Sequence, residues 1–279
     1  MRSIPFEIVK AKVKEACIEA NYTLGDDVLQ RLHRALAEEA SPLGKEILGQ
    51  LIENARIARE QRIPLCQDTG LAVFFVELGD KIFFEGGSLV EAINQGVRDG
   101  YKEGLLRNSV CHPITRKNTG DNTPAIIHSE IVSGDQLKIF FCAKGGGSEN
   151  MSRATMLKPS EGLTGVEDFV VKRVWEAQGN PCPPIIVGVG IGGNLERAAI
   201  LAKKSLLRPM DQENPAPELA DIEKRLLKKI NCLGIGPAGL GGSTTALAVH
   251  ILMEPCHIAS LPVAVNINCH SHRYKEIIF

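Results

Sequence analysis

The stretch Ile63-Pro64-Leu65-Cys66-Gln67-Asp68-Thr69-Gly70 constrains the fold of this chain more than any other. A helical pattern runs into it and ends at Arg62. Pro64 forbids its continuation, because the ring removes the amide donor and clashes with the preceding turn, and Gly70 opens an apolar run. The residues between form a short loop with an element on each side, a place where reactive groups are commonly mounted. Cys66 brings a soft sulfur, Gln67 an amide, Asp68 a carboxylate and Thr69 a hydroxyl. A lone cysteine is as often an inert core thiol as a reactive one; the polar neighbours of Cys66 favour function.

Upstream, Phe6 to Ala20 carries apolar residues at helical spacing, Asp26 or Asp27 caps a second helix through Ala40, and Ser41-Pro42 starts a third that runs to about Arg62. Downstream, Leu71 to Leu78 and Lys81 to Phe84, parted by Gly79-Asp80, read as a hairpin, and Ser88 caps a helix to about Glu103. A long polar loop follows, in which Arg107, Arg116 and Lys117 either form a carboxylate fork or are solvated charges. Ala125 to Val132 and Leu137 to Ala143 read as a second hairpin, with Cys142 in its core. It delivers the chain into Lys144-Gly145-Gly146-Gly147-Ser148-Glu149-Asn150, where three glycines favour a nest of backbone N–H groups for an anion over a simple linker.

The second half alternates helices over Glu167 to Gln178, Asn194 to Leu206, Ala216 to Lys229 and Ser243 to Met253 with strands over Ile185 to Val189 and Pro262 to Ile267. The expected class is mixed α/β, a helical N-terminal layer followed by mixed sheets with flanking helices, as one domain or as two lobes of about 1–160 and 161–279. Gly188, Gly190 and Gly193 match G-x-G-x-x-G, and Gly234, Gly236 and Gly239 match it again. A dinucleotide site needs an acidic residue at the end of a second strand, whereas Asp211 lies in a loop and Pro237 interrupts the second pattern. Both glycine runs read instead as tight turns at helix N-termini, able to face small anions.

Composition narrows the partners. A net charge of -1 gives no electrostatic reason to bind nucleic acid or an anionic membrane, and no apolar run approaches the roughly 20 residues that span a bilayer. A cytoplasmic protein acting on small molecules or with another protein is expected. The eight cysteines are dispersed and none forms C-x-x-C, so a metal site has to be assembled by the whole fold. Cys182, between prolines in Pro181-Cys182-Pro183-Pro184, is pre-positioned as a ligand. Cys256, His257, Cys269, His270 and His272 offer a rival zinc site, though their spacing matches no usual zinc motif.

Six blocks taken together resemble a known family: Leu65-Cys66-Gln67-Asp68-Thr69-Gly70; Arg116-Lys117-Asn118-Thr119-Gly120-Asp121-Asn122-Thr123-Pro124; Lys144 to Asn150; Cys182-Pro183-Pro184 with Gly188 to Gly193; Gly239-Leu240-Gly241-Gly242-Ser243-Thr244-Thr245-Ala246-Leu247; and Leu261-Pro262-Val263-Ala264-Val265-Asn266. From about residue 40 to its end the chain is similar to the alpha subunit, or N-terminal domain, of class I iron–sulfur fumarases and L-tartrate dehydratases.

That resemblance implies that Cys66, Cys182 and Cys269 hold a [4Fe–4S] cluster with one iron free of protein thiolate, with Cys111 and Cys142 as the cysteines most easily mistaken for a ligand. It implies that Gln67, Asp68, Arg107 and Gly145, Gly146 and Gly147 surround the carboxylates of a small dicarboxylate substrate, and that His257 stands beside the active site as an orienting or charge-stabilising group. Asp68 and His257 are the implied catalytic pair. The implied activity is hydration of fumarate to (S)-malate, with L-tartrate dehydration as the alternative and a non-catalytic metal-binding scaffold as a reading from another class. One-chain relatives carry a C-terminal domain with the threonine proposed as general base. This chain is therefore expected to rely on a separate beta subunit, in an α2β2 hetero-oligomer.

Overall fold

The structure, a computed structural model, describes residues 2–279. In chain order it contains Arg2–Pro5 (β1), Phe6–Tyr22 (α1), Asp26–Glu38 (α2), Pro42–Gln61 (α3), Leu71–Gly79 (β2), Ile82–Glu85 (β3), Leu89–Glu103 (α4), Ile126–Val132 (β4), Leu137–Lys144 (β5), Gly146–Glu149 (α5), Arg153–Leu157 (β6), Gly162–Ala177 (α6), Ile185–Gly193 (β7), Leu195–Ser205 (α7), Pro217–Asn231 (α8), Ala246–Cys256 (β8), Leu261–Asn268 (β9) and Tyr274–Ile278 (β10). The mixed α/β class is as expected. The chain makes two compact units: Met1–Gly25, Asn54–Gly146 and Arg273–Phe279 form the first, and Asp26–Glu53 with Gly147–His272 the second.

In the first unit the sheet order is β10-β5-β2-β4, and β1 pairs with β3 in parallel. Alternate residues of β2 (Ala72, Phe74, Val76) and β5 (Leu137, Ile139, Phe141, Ala143) share a core with Val9, Val13 and Cys17 of α1 and Ile93, Val97 and Tyr101 of α4. Each such large apolar side chain contributes roughly 1.5–3 kcal/mol on burial. Gly96 and Gly100 let α4 lie close on α1, since a Cβ on Gly96 would meet Lys10 O at 2.7 Å. The Ser88 hydroxyl accepts the Glu91 N–H at 3.1 Å, the cap that the sequence predicts.

Neither expected hairpin forms. β2 lies between β4, its parallel partner, and β5, its antiparallel one, while β3 pairs with β1. The Gly79-Asp80-Lys81 turn explains why: its three N–H groups bond the carbonyls of Gln136, Val132 and Gly134, so the turn is tied to the chain between β4 and β5.

In the second unit the sheet order is β6-β9-β7-β8. One face, with Ile185, Val187, Val189, Val265 and Ile267, packs with Val170 and Val174 of α6 and Leu226 and Ile230 of α8. Ala198 and Ala202 of α7 pack with Ala264 of β9. The helix expected over Ser243 to Met253 is strand β8 instead. Its unbroken apolar run suits a buried strand as well as a helix, and pairing with β7 decides between them. Gly188 and Gly190 are also corrected: they lie within β7, where a Cβ would meet Ala202 O at 2.1 Å and Ala198 O at 2.0 Å. They let α7 approach the sheet and do not cradle an anion.

Candidate functional site

In the first unit, the loop between α3 and β2 is held by side chains and backbone from five other stretches. Leu65 N–H bonds Asn21 O at 2.9 Å and Leu65 O accepts from Asn54 Nδ2 at 2.9 Å. Asp68 O accepts from Arg273 Nη1 at 2.6 Å, Thr69 O from the Tyr101 hydroxyl at 2.9 Å, and Gly70 O from Asn122 Nδ2 at 3.2 Å. Burial raises the Tyr101 phenol well above its ordinary range, with smaller charge effects from its neighbours, so the hydroxyl remains a donor. Gly70 adopts φ +75°, and a Cβ there would lie 2.7 Å from the Lys144 carbonyl carbon; only glycine fits this exit from the loop.

This framework presents the expected groups together. The Asp68 carboxylate accepts from Gly70 N–H at 3.0 Å and Gly146 N–H at 2.8 Å, and Asp68 N–H points at Cys66 Sγ, 3.4 Å away. Cys66 is half-buried and Gln67 exposed. Arg107 is tied to the loop by reciprocal bonds with the Thr69 hydroxyl, at 2.9 Å to its N–H and 3.2 Å to its carbonyl, while its guanidinium is exposed and makes no hydrogen bond among the described residues. Arg116 and Lys117 are exposed on their loop. At least one N–H of the glycine nest thus serves Asp68, an anion of the chain itself. Gly145 is buried and Gly146 exposed.

The second unit carries Gly147, Cys182, Cys269 and His257. Cys182 is exposed and has φ +57°, a left-handed conformation that costs a non-glycine residue about 1–2 kcal/mol. Cys182 N–H bonds Gly179 O at 3.1 Å, and the Pro183 carbonyl accepts Ala238 N–H at 2.8 Å. His270 Nδ1 lies 3.0 Å from Cys182 O, so the Cys182 turn and the segment that bears half-buried Cys269 meet. Gly147 is exposed, near the Asn180 carbonyl. His257 is exposed; its Nδ1 accepts Ala259 N–H at 3.2 Å, which leaves Nε2 to carry the proton of the neutral ring.

Other cysteines are placed differently. Cys17 and Cys142 are buried, and burial pushes the Cys17 thiol up. Cys111 bridges Asn118 within the polar loop. Among the described residues no three His, Cys, Asp or Glu side chains converge on one ion, whichever set is considered. His272 is buried with Nδ1 on Asn268 Nδ2 at 2.6 Å and Nε2 on Leu206 O at 2.8 Å, and Cys256 Sγ bonds Ser260 O at 3.2 Å. Two cavities of the second unit, of about 630 Å³ beside α6 and about 320 Å³ beside β8, are lined by none of the expected site residues.

Two residues escape the sequence reading. Arg273 is buried and braces the Asp68 backbone, and its only sequence signal is its place four residues after Cys269. Glu39 has no local signal at all: its buried carboxylate takes N–H bonds from Ser41, Ser243 and Thr244 and so fixes the glycine-rich loop before β8.

The profile of a family described as Fumarate hydratase (Fumerase) matches residues 10–278. A Methanocaldococcus jannaschii protein, provisionally named L(+)-tartrate dehydratase subunit alpha, is 45% identical over 267 residues, 94% of either chain. L(+)-tartrate dehydratase subunit alpha of Escherichia coli K12 is 36% identical over 271 residues, 94% of this chain and 89% of its own. The same-named protein of Shigella sonnei matches at 36% over the same span.

Proposed function

The chain belongs to the fumarate hydratase family, and on that premise we propose that it is the alpha subunit of a hydro-lyase that dehydrates L(+)-tartrate in concert with a separate beta subunit. The names of the relatives favour tartrate over fumarate, the substrate expected first from sequence. The observation that carries the reading is the loop itself, which mounts Cys66, Gln67 and Asp68 side by side and orients the Asp68 carboxylate with two backbone N–H groups.

Cys66, Cys182 and Cys269 are the thiols proposed to hold a [4Fe–4S] cluster. Their chemistry fits such a group. All three sulfurs are soft donors outside the packed cores, Cys66 Sγ accepts the Asp68 N–H at 3.4 Å, and Cys182 is held in a strained turn of the kind found at functional sites. When bound, a cluster with one iron free of thiolate supplies a Lewis acid for the substrate hydroxyl.

The chain's own residues supply binding and orientation. The exposed Arg107 guanidinium suits a substrate carboxylate in a bidentate fork, and the exposed Gln67 offers its amide. Asp68 is fixed as an acceptor that orients a substrate hydroxyl, and the exposed Nε2–H of His257 is a donor for charge developing on oxygen. None of the loop's own groups is an evident base for C3, so the proposal assigns proton abstraction to the beta subunit, in an α2β2 assembly. No helix among the described residues is long and apolar enough to cross a membrane; a reducing cytoplasm suits the thiols.

The test is co-expression with the beta subunit and anaerobic reconstitution, followed by iron and acid-labile sulfide counts, paramagnetic resonance, and turnover of L(+)-tartrate and (S)-malate. Cys66→Ser, Cys182→Ser and Cys269→Ser are expected to lose the cluster and Cys17→Ser to keep it. Equal retention in all four overturns the ligand assignment, and faster turnover of malate than of tartrate overturns the substrate.

A further inference from the structure

Arg273 has more hydrogen-bonding capacity than the fold uses. It is 2% exposed, yet it makes no ion pair with a carboxylate among the described residues. Nη1 serves Asp68 O at 2.6 Å and Asn21 Oδ1 at 3.0 Å, and Nε is buried without a partner. The backbone beside it is fixed, because Arg273 O accepts Ala143 N–H at 3.0 Å. Burying a cation without a counter-ion opposes folding by several kcal/mol, and two neutral acceptors offset only part of that.

The remaining nitrogen, Nη2, faces Gly145. Nη2 lies 3.5 Å from the point that a Cβ on Gly145 would occupy, and Asp68 Oδ2 lies 3.2 Å from that same point. Gly145 thus leaves an atom-sized gap between one positive and one acidic group, next to the Gly146 N–H that orients Asp68, and a Cβ in it would press on Asp68 Oδ2. A carbon atom there touches both. A carboxylate oxygen entering the gap would meet a pre-positioned guanidinium N–H.

We propose that Arg273 is a substrate-binding residue whose Nη2 takes one carboxylate of the diacid in the gap over Gly145, alongside Asp68. This rests on the hydro-lyase reading and adds to it a second guanidinium besides Arg107. It also accounts for a glycine at position 145, whose backbone does not itself demand one: its φ lies outside the left-handed region.

The experiment uses the reconstituted complex with the beta subunit and measures KM and kcat for L(+)-tartrate. Calorimetric affinity for succinate, a diacid with no hydroxyl, is the second readout. Arg273→Gln is expected to raise KM and the succinate Kd roughly 10- to 100-fold, with Arg273→Lys partly restoring both. Gly145→Ala, which leaves the Arg273–Asp68 bond in place, is expected to raise both constants while the melting temperature stays within about a degree or two of wild type. If Arg273→Gln fails to fold, Gly145→Ala decides alone. Unchanged KM and succinate affinity in Gly145→Ala, or an Arg273→Gln protein that folds with unchanged succinate affinity, makes Arg273 a structural brace and overturns the proposal. A wild-type complex that neither binds succinate nor turns over either hydroxy acid overturns the hydro-lyase reading on which the proposal stands, an outcome distinct from the previous one.

Discussion

Replacing Glu39 by glutamine tests whether a single buried charge holds the glycine-rich loop of the second unit. Burial opposes ionisation of this carboxylate, but donation from Ser243, Ser41 and Thr244 outweighs it and brings the pKa from an ordinary 4.5 to about 2. The four bonds run from Ser41 N–H at 2.9 Å, Ser243 N–H at 2.8 Å, the Ser243 hydroxyl at 3.0 Å and Thr244 N–H at 2.8 Å. At about 1.4 kcal/mol per pH unit the difference is worth about 3 kcal/mol at neutral pH. Glutamine keeps one acceptor and turns two N–H donors toward N–H groups, so Glu39→Gln is expected to lose about that amount, or roughly 6–12 °C in melting temperature. The folded pKa is depressed, so the stabilisation is complete above the unfolded value of about 4.5 and is lost as pH falls through it toward 2. Urea titrations at closely spaced pH values should therefore show a wild-type advantage that is constant above about pH 5.5 and nearly gone at pH 2. An equal gap between wild type and variant at pH 7 and pH 2.5, or no gap at pH 7, would refute the charge argument.

Two further outcomes follow from packing and titration. Gly188→Ala puts a methyl 2.1 Å from Ala202 O and should cost about 3 kcal/mol or more as α7 is pushed off β7, whereas Gly49→Ala, in α3 with nothing within 4 Å, should stabilise by up to about 1 kcal/mol; chemical denaturation of both variants checks the contrast. His250 is lowered to about 3 by burial first and then by Arg208, so below about pH 6.5 only the unfolded chain takes up its proton. Stability should fall by about 1.4 kcal/mol per pH unit on that account from pH 6.5 toward 3, and His250→Gln should remove that part of the slope in a pH series of denaturation curves.

Helices were legible because their signals are local. Ser88 and Asn194 cap the helices that they precede, and the apolar period of α1, α2 and α8 needs no partner to be seen. Sheet order was not, because two strands that follow one another and look like a hairpin pair only if nothing better intervenes; β2 intervenes between β4 and β5. The glycines of β7 mislead for a related reason. Spacing cannot tell a turn that faces an anion from a strand that faces a helix at close range. At the site, Cys66 to Gly70 announced itself through Pro64 and Gly70, while Arg273 and Glu39 act on residues 205 and 204 positions away, Asp68 and Ser243, and no window of sequence joins them.

That distance also explains how an irregular loop can be rigid enough for chemistry. A buried stretch without helix or sheet leaves its carbonyls unpaired unless side chains reach them, and each unpaired group costs about 1–3 kcal/mol. Here Leu65, Asp68, Thr69 and Gly70 give their carbonyls to Asn54, Arg273, Tyr101 and Asn122, drawn from α3, the residue before β10, α4 and the polar loop. The loop is therefore ordered only when all four segments are in place. In such an arrangement the direction of the Asp68 carboxylate is set by the fold of the first unit as a whole, and substrate binding need not supply the ordering. Substitutions at Asn54, Tyr101 or Asn122 act on the same geometry through the backbone.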